Sequence, residues 1–337
     1  MSCCRPPARD GVRPVIAILA PGQGAQKPGM LAPWLERPGA RDRLAEFSTA
    51  AGLDLEHLGT EADAEAIADT AVTQPLLVAS ALLSWEALRD EWGDAAQRSS
   101  TGGSGELPEG TVVAGHSVGE IAAAAIAGVL AADRAVALAA VRGREMAAAC
   151  AVEPTSMAAV LGGDPDDVLR ALASRDLEPA NRNGAGQVVA AGRTSDIEAL
   201  AAEPPEGARV RPLAVAGAFH TRFMEPAEKA LGSWVAEHRS ELAPADPTTP
   251  LLSDADGAVV TSGDDMLDRL VAQVTLSVRW DACMDTLRDR GITAAIELTP
   301  AGTLTGMVKR QIKGTATVNV STPEHLASAV ETLRGTS

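Results

Sequence analysis

The sequence predicts an α/β protein, a parallel-sheet core interrupted by a small ferredoxin-like (βαββαβ) subdomain, and three observations carry that expectation. A short apolar strand at residues 111–114 runs straight into a Gly-x-Ser-x-Gly turn and then an alanine-rich helix. Residues 14–19 (PVIAIL) form a second apolar strand that meets a glycine-rich turn in the same way. Within residues 153–215 the pattern changes to strand, helix, strand, strand, helix, strand, the order of a ferredoxin-like unit. Strands that alternate with helices build parallel sheets, because each crossover must pass over a sheet face.

In chain order, residues 1–13 carry arginines and read as a disordered leader, and the apolar run at 15–20 is too short for a signal sequence or a membrane span. The turn Pro21-Gly22-Gln23-Gly24-Ala25-Gln26 follows the first strand, and its glycines let the backbone approach a ligand; the plainer reading is an ordinary β-to-α turn. Thr73-Gln74-Pro75 is expected to open a helix over 76–92, with a polar cap and a proline tolerated in the first turn. Residues 97–110 are polar and glycine-rich, a surface loop. After the elbow strand, one helix is expected over 120–132 and another over 133–150. The insert then reads as strands at 156–161, 177–181, 187–191 and 210–215, with helices at 164–174 and 195–202. Helices and short strands resume from His220, including strands at 294–298 and 317–320. Residues 14–152 and 216–334 therefore make one core and 153–215 its insert.

Ser117 is the candidate nucleophile. A strand-turn-helix around Gly115-His116-Ser117-Val118-Gly119 exposes the serine hydroxyl on a sharp bend, and the helix N-terminus behind it favours developing negative charge. A tight structural turn is the alternative. Of the histidines, His57 and His238 lie in charged, helix-like surroundings and are expected in solvent, and His116 adjoins the serine and should point away from its hydroxyl. His325 follows a proline at the start of a terminal helix, whereas His220 follows an apolar strand and a small-residue turn, where a rigid sheet can hold an imidazole facing the elbow. His220 is favoured as the base.

Composition narrows the partners. A formal charge of −16 argues against nucleic acid and anionic membrane, and the absence of tyrosine, with only 2% aromatic residues, removes any stacking platform for single strands. Cys3, Cys4, Cys150 and Cys283 have neither zinc-site spacing nor a disulfide framework, which fits a reducing cytoplasm.

Several motifs in register resemble one family. They are PGQGAQ at 21–26, TQP at 73–75, GHSVGE at 115–120, RGREM at 142–146, NRNGAGQVVAAG at 181–192, GAFHTR at 217–222, Gln273, and ELTPAGTLTGMVKR at 297–310. Over residues 14–329 the chain resembles the acyltransferases that comprise malonyl-CoA:acyl carrier protein transacylases and the acyltransferase domains of polyketide synthases. The resemblance implies a hydrolase-like parallel-sheet core with the ferredoxin-like insert. It implies Ser117 as nucleophile, His220 as general base, and backbone N–H groups of Gln23 and Val118 as oxyanion donors. Arg142 would grip the malonyl carboxylate, and Met146, one helical turn later, would line the pocket. Gln273 would take the place of a triad acid through its main-chain carbonyl, so that its side chain is expected to be replaceable at modest cost. No metal or redox cofactor is implied.

Malonyl-CoA and acyl carrier protein would be the partners, and the enzyme a cytoplasmic monomer feeding fatty-acid synthesis or polyketide synthesis. Methylmalonyl selectivity and a serine hydrolase or thioesterase on the same elbow are the alternatives; a buried Arg142 argues against an esterase for neutral acyl chains. Lys309, Arg310 and Lys313 are candidates for docking the acidic carrier protein. The chain departs from the family pattern at Val274-Thr275-Leu276-Ser277, where an Asn-Pro pair is common, and at Thr299-Pro300-Ala301, which replaces a more glycine-rich turn.

Overall fold

The computed structural model describes residues 15–98 and 106–335; the leader read into 1–13, and residues 99–105 of the polar loop, lie outside them. The strands are β1 (Ile16–Ala20), β2 (Val112–Gly115), β3 (Thr155–Gly162), β4 (Glu178–Gly184), β5 (Gln187–Arg193), β6 (Ala208–Pro212), β7 (Leu251–Leu252), β8 (Val259–Val260), β9 (Ala294–Glu297) and β10 (Ala316–Asn319). The α-helices in the first half are α1 (Ala40–Ala51), α2 (Leu55–Thr60), α3 (Thr70–Arg98), α4 (Gly119–Ile126), α5 (Ala132–Cys150) and α6 (Pro165–Ala173). Those in the second half are α7 (Thr194–Ala202), α8 (Glu225–Leu242), α9 (Gly263–Ala272), α10 (Trp280–Asp289), α11 (Thr303–Gln311) and α12 (Leu326–Leu333).

One sheet has the order β10-β9-β1-β2-β7-β8, parallel except for the antiparallel edge pair β7–β8. Side chains of β1 alternate between two apolar clusters. Ile16, Ile18 and Ala20 face the side packed by α3, α4 and α5, while Ala17 and Leu19 join Trp280, Met284, Leu304 and Val308 from α10 and α11. Cover on both faces explains why β1 is an unbroken apolar run and wholly buried. At the centre of the sheet, β1 and β2 run side by side in one direction, so the turns that leave them emerge at the same edge. That edge is where open α/β sheets hold their ligands.

The second sheet has the order β4-β5-β3-β6 and is antiparallel throughout. Its chain order is β3-α6-β4-β5-α7-β6. It keeps its own apolar cluster, in which Val160 and Ala190 meet Val168 and Leu172 of α6 and Ile197 and Leu200 of α7. Backbone bonds from Val278 N–H to Ala180 (2.9 Å) and from Arg182 N–H to Val278 (2.8 Å) tie β4 to the segment after Gln273. The departure from an Asn-Pro pair in that segment thus falls on a seam between the two sheets, where Val278 supplies both a donor and an acceptor.

Two of the expected helices differ in their boundaries. The single helix read over 120–132 is interrupted: α4 ends at Ile126, Gly128 takes φ 88°, and the chain turns before α5 begins. Gly128, just past the C-cap, is the sequence signal of that break. The helix expected to open at Thr73-Gln74-Pro75 begins at Thr70, with Pro75 inside it, and runs past its expected end at 92 to Arg98, taking in the first two residues read as loop. Its real cap is Asp69, whose carboxylate accepts the Ala71 N–H at 2.8 Å. By length and composition α3 could cross a membrane, but 83% of the qualifying window is buried inside the protein, and it serves as a core helix.

Candidate active site

Ser117 stands between β2 and α4 at φ 53°, a left-handed conformation that costs a side-chain-bearing residue about 1–3 kcal/mol and is tolerated only where the surroundings enforce it. Two glycines do the enforcing by closeness. A Cβ on Gly115 would lie 2.2 Å from the Gly119 carbonyl oxygen, and one on Gly119 would lie 2.2 Å from that of Ala20. The elbow is therefore pressed against its own helix and against the end of β1. The same packing brings in the first glycine-rich turn, since a Cβ on Gly22 would sit 2.7 Å from the His116 carbonyl. Gln23, Ser117 and Val118 consequently line one cavity.

The Ser117 hydroxyl is 2.7 Å from His220 Nε2. On the far side of the ring, Nδ1 lies 2.8 Å from the main-chain carbonyl of Gln273. A carbonyl can only accept, so Nδ1 carries the proton and Nε2 is left free to take one from the serine. Burial pushes the His220 pKa down to about 3, helped by the Arg142 cation and opposed by the Gln273 bond. The imidazole is neutral at physiological pH. Asp281, a conceivable acid for this histidine, instead binds Arg279 at 2.9 Å.

The other histidines sit elsewhere. His116 meets Asn183 Oδ1 at 2.9 Å and the edge of Trp280. His57 pairs with Glu61, and His325 caps its own turn through Thr322. His238, expected in solvent, is half-buried and stacks on Trp234.

Arg142 comes from α5 and is 1% exposed. Gly143 lets α5 approach α3, since a Cβ there would stand 2.7 Å from the Thr70 carbonyl. One guanidinium nitrogen donates to Gln74 Oε1 (2.6 Å), and the other donates to Gln273 Oε1 (2.8 Å) and lies 3.4 Å from Ser117 Oγ. Burial lowers its pKa to about 10, with Asp254 and Glu120 pulling the other way, so it stays charged at neutral pH. Met146 follows one turn later, its sulfur accepting from Gln74 Nε2 at 3.3 Å. A cavity of about 350 Å³ is lined by Gln23, Ser117, Val118, Arg142, Met146 and His220 together.

Gln273 requires a correction. Its carbonyl serves His220 as expected, but its side chain is no bystander: besides accepting from Arg142, it donates to Asp254 and Glu120 and to the Ser117 carbonyl. Gln74, Glu120 and Asp254 were not singled out from the sequence. Gln74 and Glu120 lie inside the TQP and GHSVGE motifs, which marked their segments and not their side chains, whereas Asp254 reads as part of a turn, Ser-Asp-Ala-Asp-Gly. At Thr299-Pro300-Ala301, Ala301 takes φ 48°, a place where glycine would be unstrained.

Thr303, Leu304 and Met307 of α11 line the cavity, and Lys309, Arg310 and Lys313 are exposed on and just beyond that helix. Among the described residues, no group of three His, Cys, Asp or Glu side chains is placed to hold a metal ion, and Cys150 and Cys283 are free thiols.

The family profile described as the acyl transferase domain matches residues 18–325. The malonyl CoA-acyl carrier protein transacylase of Mycobacterium tuberculosis (strain ATCC 25618 / H37Rv) is 55% identical over 312 residues, 93% of this chain and 98% of the relative. The crystal structure of that organism's enzyme superposes with a TM-score of 0.86 at 54% identity, over 94% of this chain and 99% of the other. A malonyl-transacylase solved in complex with its type II polyketide acyl carrier protein superposes at 0.82 with 29% identity, over 94% and 99%.

Proposed function

Because the chain belongs to the acyl transferase domain family, we propose that it moves the malonyl group of malonyl-CoA to the phosphopantetheine thiol of acyl carrier protein through a malonyl-serine. In the first half-reaction Ser117 Oγ attacks the thioester carbonyl while His220 Nε2 takes the hydroxyl proton. The N–H groups of Gln23 and Val118 receive the oxyanion, fixed donors being worth most where charge appears. As the tetrahedral intermediate collapses, the carbon–sulfur bond breaks and the imidazolium returns its proton to the coenzyme A sulfur. The carrier thiol then repeats the sequence in reverse: its sulfur attacks the malonyl-serine, His220 takes the thiol proton, and Ser117 leaves and is reprotonated.

The observation that carries this reading is the shared surroundings of nucleophile and cation: Ser117 Oγ stands 2.7 Å from His220 and 3.4 Å from Arg142. The partners of the guanidinium are all neutral: the amides of Gln74 and Gln273 and the Ser117 hydroxyl. Its charge is thus left uncancelled toward the cavity, where a planar fork suits the carboxylate of a malonyl group. A hydrolase of neutral acyl chains gains nothing from such a buried cation.

The two apolar clusters of the large sheet and the separate cluster of the small one support reading residues 14–152 and 216–334 as a hydrolase-like core and 153–215 as a ferredoxin-like insert. We read the protein as a cytoplasmic monomer that supplies fatty-acid synthesis, with polyketide synthesis as the alternative destination. Its charge of −16 agrees with a role apart from nucleic acid and membrane.

Intact mass after incubation with malonyl-CoA tests the reading. One malonyl adduct is expected on Ser117, slow to leave in water and quickly discharged by holo acyl carrier protein. An adduct on another residue, acylation of Ser117→Ala, or discharge by water as fast as by carrier would overturn it.

A further inference from the structure

Two carboxyl groups lie wholly buried beneath the elbow, and neither takes part in the steps above. Glu120, in the first turn of α4, accepts the Asp254 N–H at 2.7 Å, and Asp254 Oδ2 accepts the Ser117 N–H at 2.8 Å. Gln273 Nε2 donates to Glu120 Oε2 and, at 3.0 Å, to Asp254 Oδ1, while Oε1 of the same amide accepts from Arg142 at 2.8 Å.

Two desolvated carboxylates that converge on one amide nitrogen cannot both ionise, so they keep one proton and one charge between them. Carboxyl oxygens on one side and guanidinium N–H groups on the other dictate which way the Gln273 amide points. A direct ion pair would occupy the guanidinium fork and cancel the charge an acyl carboxylate must meet. One amide of separation supplies the counter-charge and leaves the fork open.

Resting on the reading of Arg142 as the acyl-carboxylate ligand, we propose that Glu120 and Asp254 are positioning residues. They hold one proton between them and supply, through the Gln273 amide, the single counter-charge that keeps Arg142 aimed into the cavity. Burial pushes both carboxyl groups above the usual carboxylate range, as a retained proton requires. Arg142, His116 and the buried Cys283 thiol are ionisable groups close enough to interact with the pair.

The test compares kcat/KM for malonyl-CoA and acetyl-CoA in Glu120→Gln, Asp254→Asn, the double variant and Arg142→Ala, with thermal unfolding as a check on folding. Each single amide keeps one negative charge and should lower the malonyl-to-acetyl ratio only about two- to fivefold; the double variant removes the charge and should lower it about a hundredfold or more, well beyond the product of the singles. Infrared spectra at neutral pH should contain a protonated carboxylic-acid carbonyl band that Glu120→Gln loses.

A double variant no worse than the product of the singles, singles as damaging as the double, parallel losses for both substrates, or no such band would overturn the proposal. Should the double variant not fold, Gln273→Met removes the amide link while keeping the backbone carbonyl on His220. It should lower the ratio about tenfold or more, and an unchanged ratio rejects the relay. Arg142→Ala separates the two levels: if it leaves the ratio intact, the reading of Arg142 itself fails; if it collapses the ratio while the carboxyl variants follow none of these patterns, only the present inference fails.

Discussion

Seating a carboxylate on Arg142 should raise the basicity of His220, so the pH dependence of acylation must differ between malonyl-CoA and acetyl-CoA. In the unliganded site the His220 pKa is held down to about 3, first by burial and next by the Arg142 cation. Ser117 Oγ lies 2.7 Å from the ring nitrogen and 3.4 Å from the guanidinium. At a separation of about 6 Å and an effective dielectric of about 20, one unit charge acts on another by about 3 kcal/mol, or about two pH units. A malonyl carboxylate cancels most of that repulsion, and an acetyl group leaves it in place.

Single-turnover acylation, quenched and read by intact mass at saturating acyl-CoA, isolates this step from thiol exchange. The acidic limb for malonyl-CoA should stand about one to two pH units above that for acetyl-CoA, whose limb reports the imidazole with Arg142 unneutralised. Coincident limbs, or an acetyl limb near the ordinary histidine value of 6.5, would refute the coupling. Either result would mean that the cation does not act on the base as the geometry requires.

Arg142→Ala should lower malonyl kcat/KM about a hundredfold or more, because a charge-assisted, two-pronged bond is lost, while acetyl transfer is equal or improved; a parallel loss for both substrates would make Arg142 structural. Charge reversal at Lys309 and Lys313, exposed beside the cavity-lining face of α11, should raise the KM for carrier protein and not for malonyl-CoA, and an unchanged carrier KM rejects docking there. Below its ordinary value of 6.5, His220 takes a proton in the unfolded chain that the folded one refuses until about 3. Its contribution to stability is therefore complete above that window and is lost as pH falls through it, at about 1.4 kcal/mol per pH unit. Urea unfolding of the parent against His220→Asn should reveal that slope as a difference, and parallel pH profiles would refute it.

What could be read in advance was what is local in the chain. The elbow is legible because Gly115, Ser117 and Gly119 occupy one turn, and the steric demand that selects them acts across a few residues. The four-stranded sheet is legible because its strands and helices alternate with clear periods. Helix ends were less so: in alanine-rich sequence the one mark of the stop at Ile126 is Gly128, and the cap Asp69 lies ahead of the motif that drew attention. That Glu120 pairs with Asp254 was invisible for a different reason. Glu120 and Asp254 are 134 residues apart, and only the parallel placement of β2 beside β7 brings the elbow against the turn that carries Asp254.

Gln273 is where the two kinds of information part. A resemblance transfers a role to a position, and the role transferred was that of a backbone carbonyl, which any residue keeps; from that alone Gln273→Ala should cost about tenfold to a hundredfold. The side chain, however, joins Arg142 to the carboxyl pair and also donates to the Ser117 carbonyl at 3.2 Å. Alanine would leave a buried guanidinium nitrogen and two carboxyl groups each short of a partner, a burden of about 1–3 kcal/mol for every unsatisfied group. The losses should therefore fall unequally: malonyl kcat/KM should drop more than acetyl, and the unfolding temperature should fall as well. Gln273→Glu sharpens the comparison, since it keeps the carbonyl and the length of the side chain but replaces the donor facing Glu120 and Asp254 with another acid. If Gln273→Glu matched the parent in stability and in malonyl-to-acetyl ratio, the side chain would be the bystander first expected, and the carbonyl on His220 would be its whole contribution.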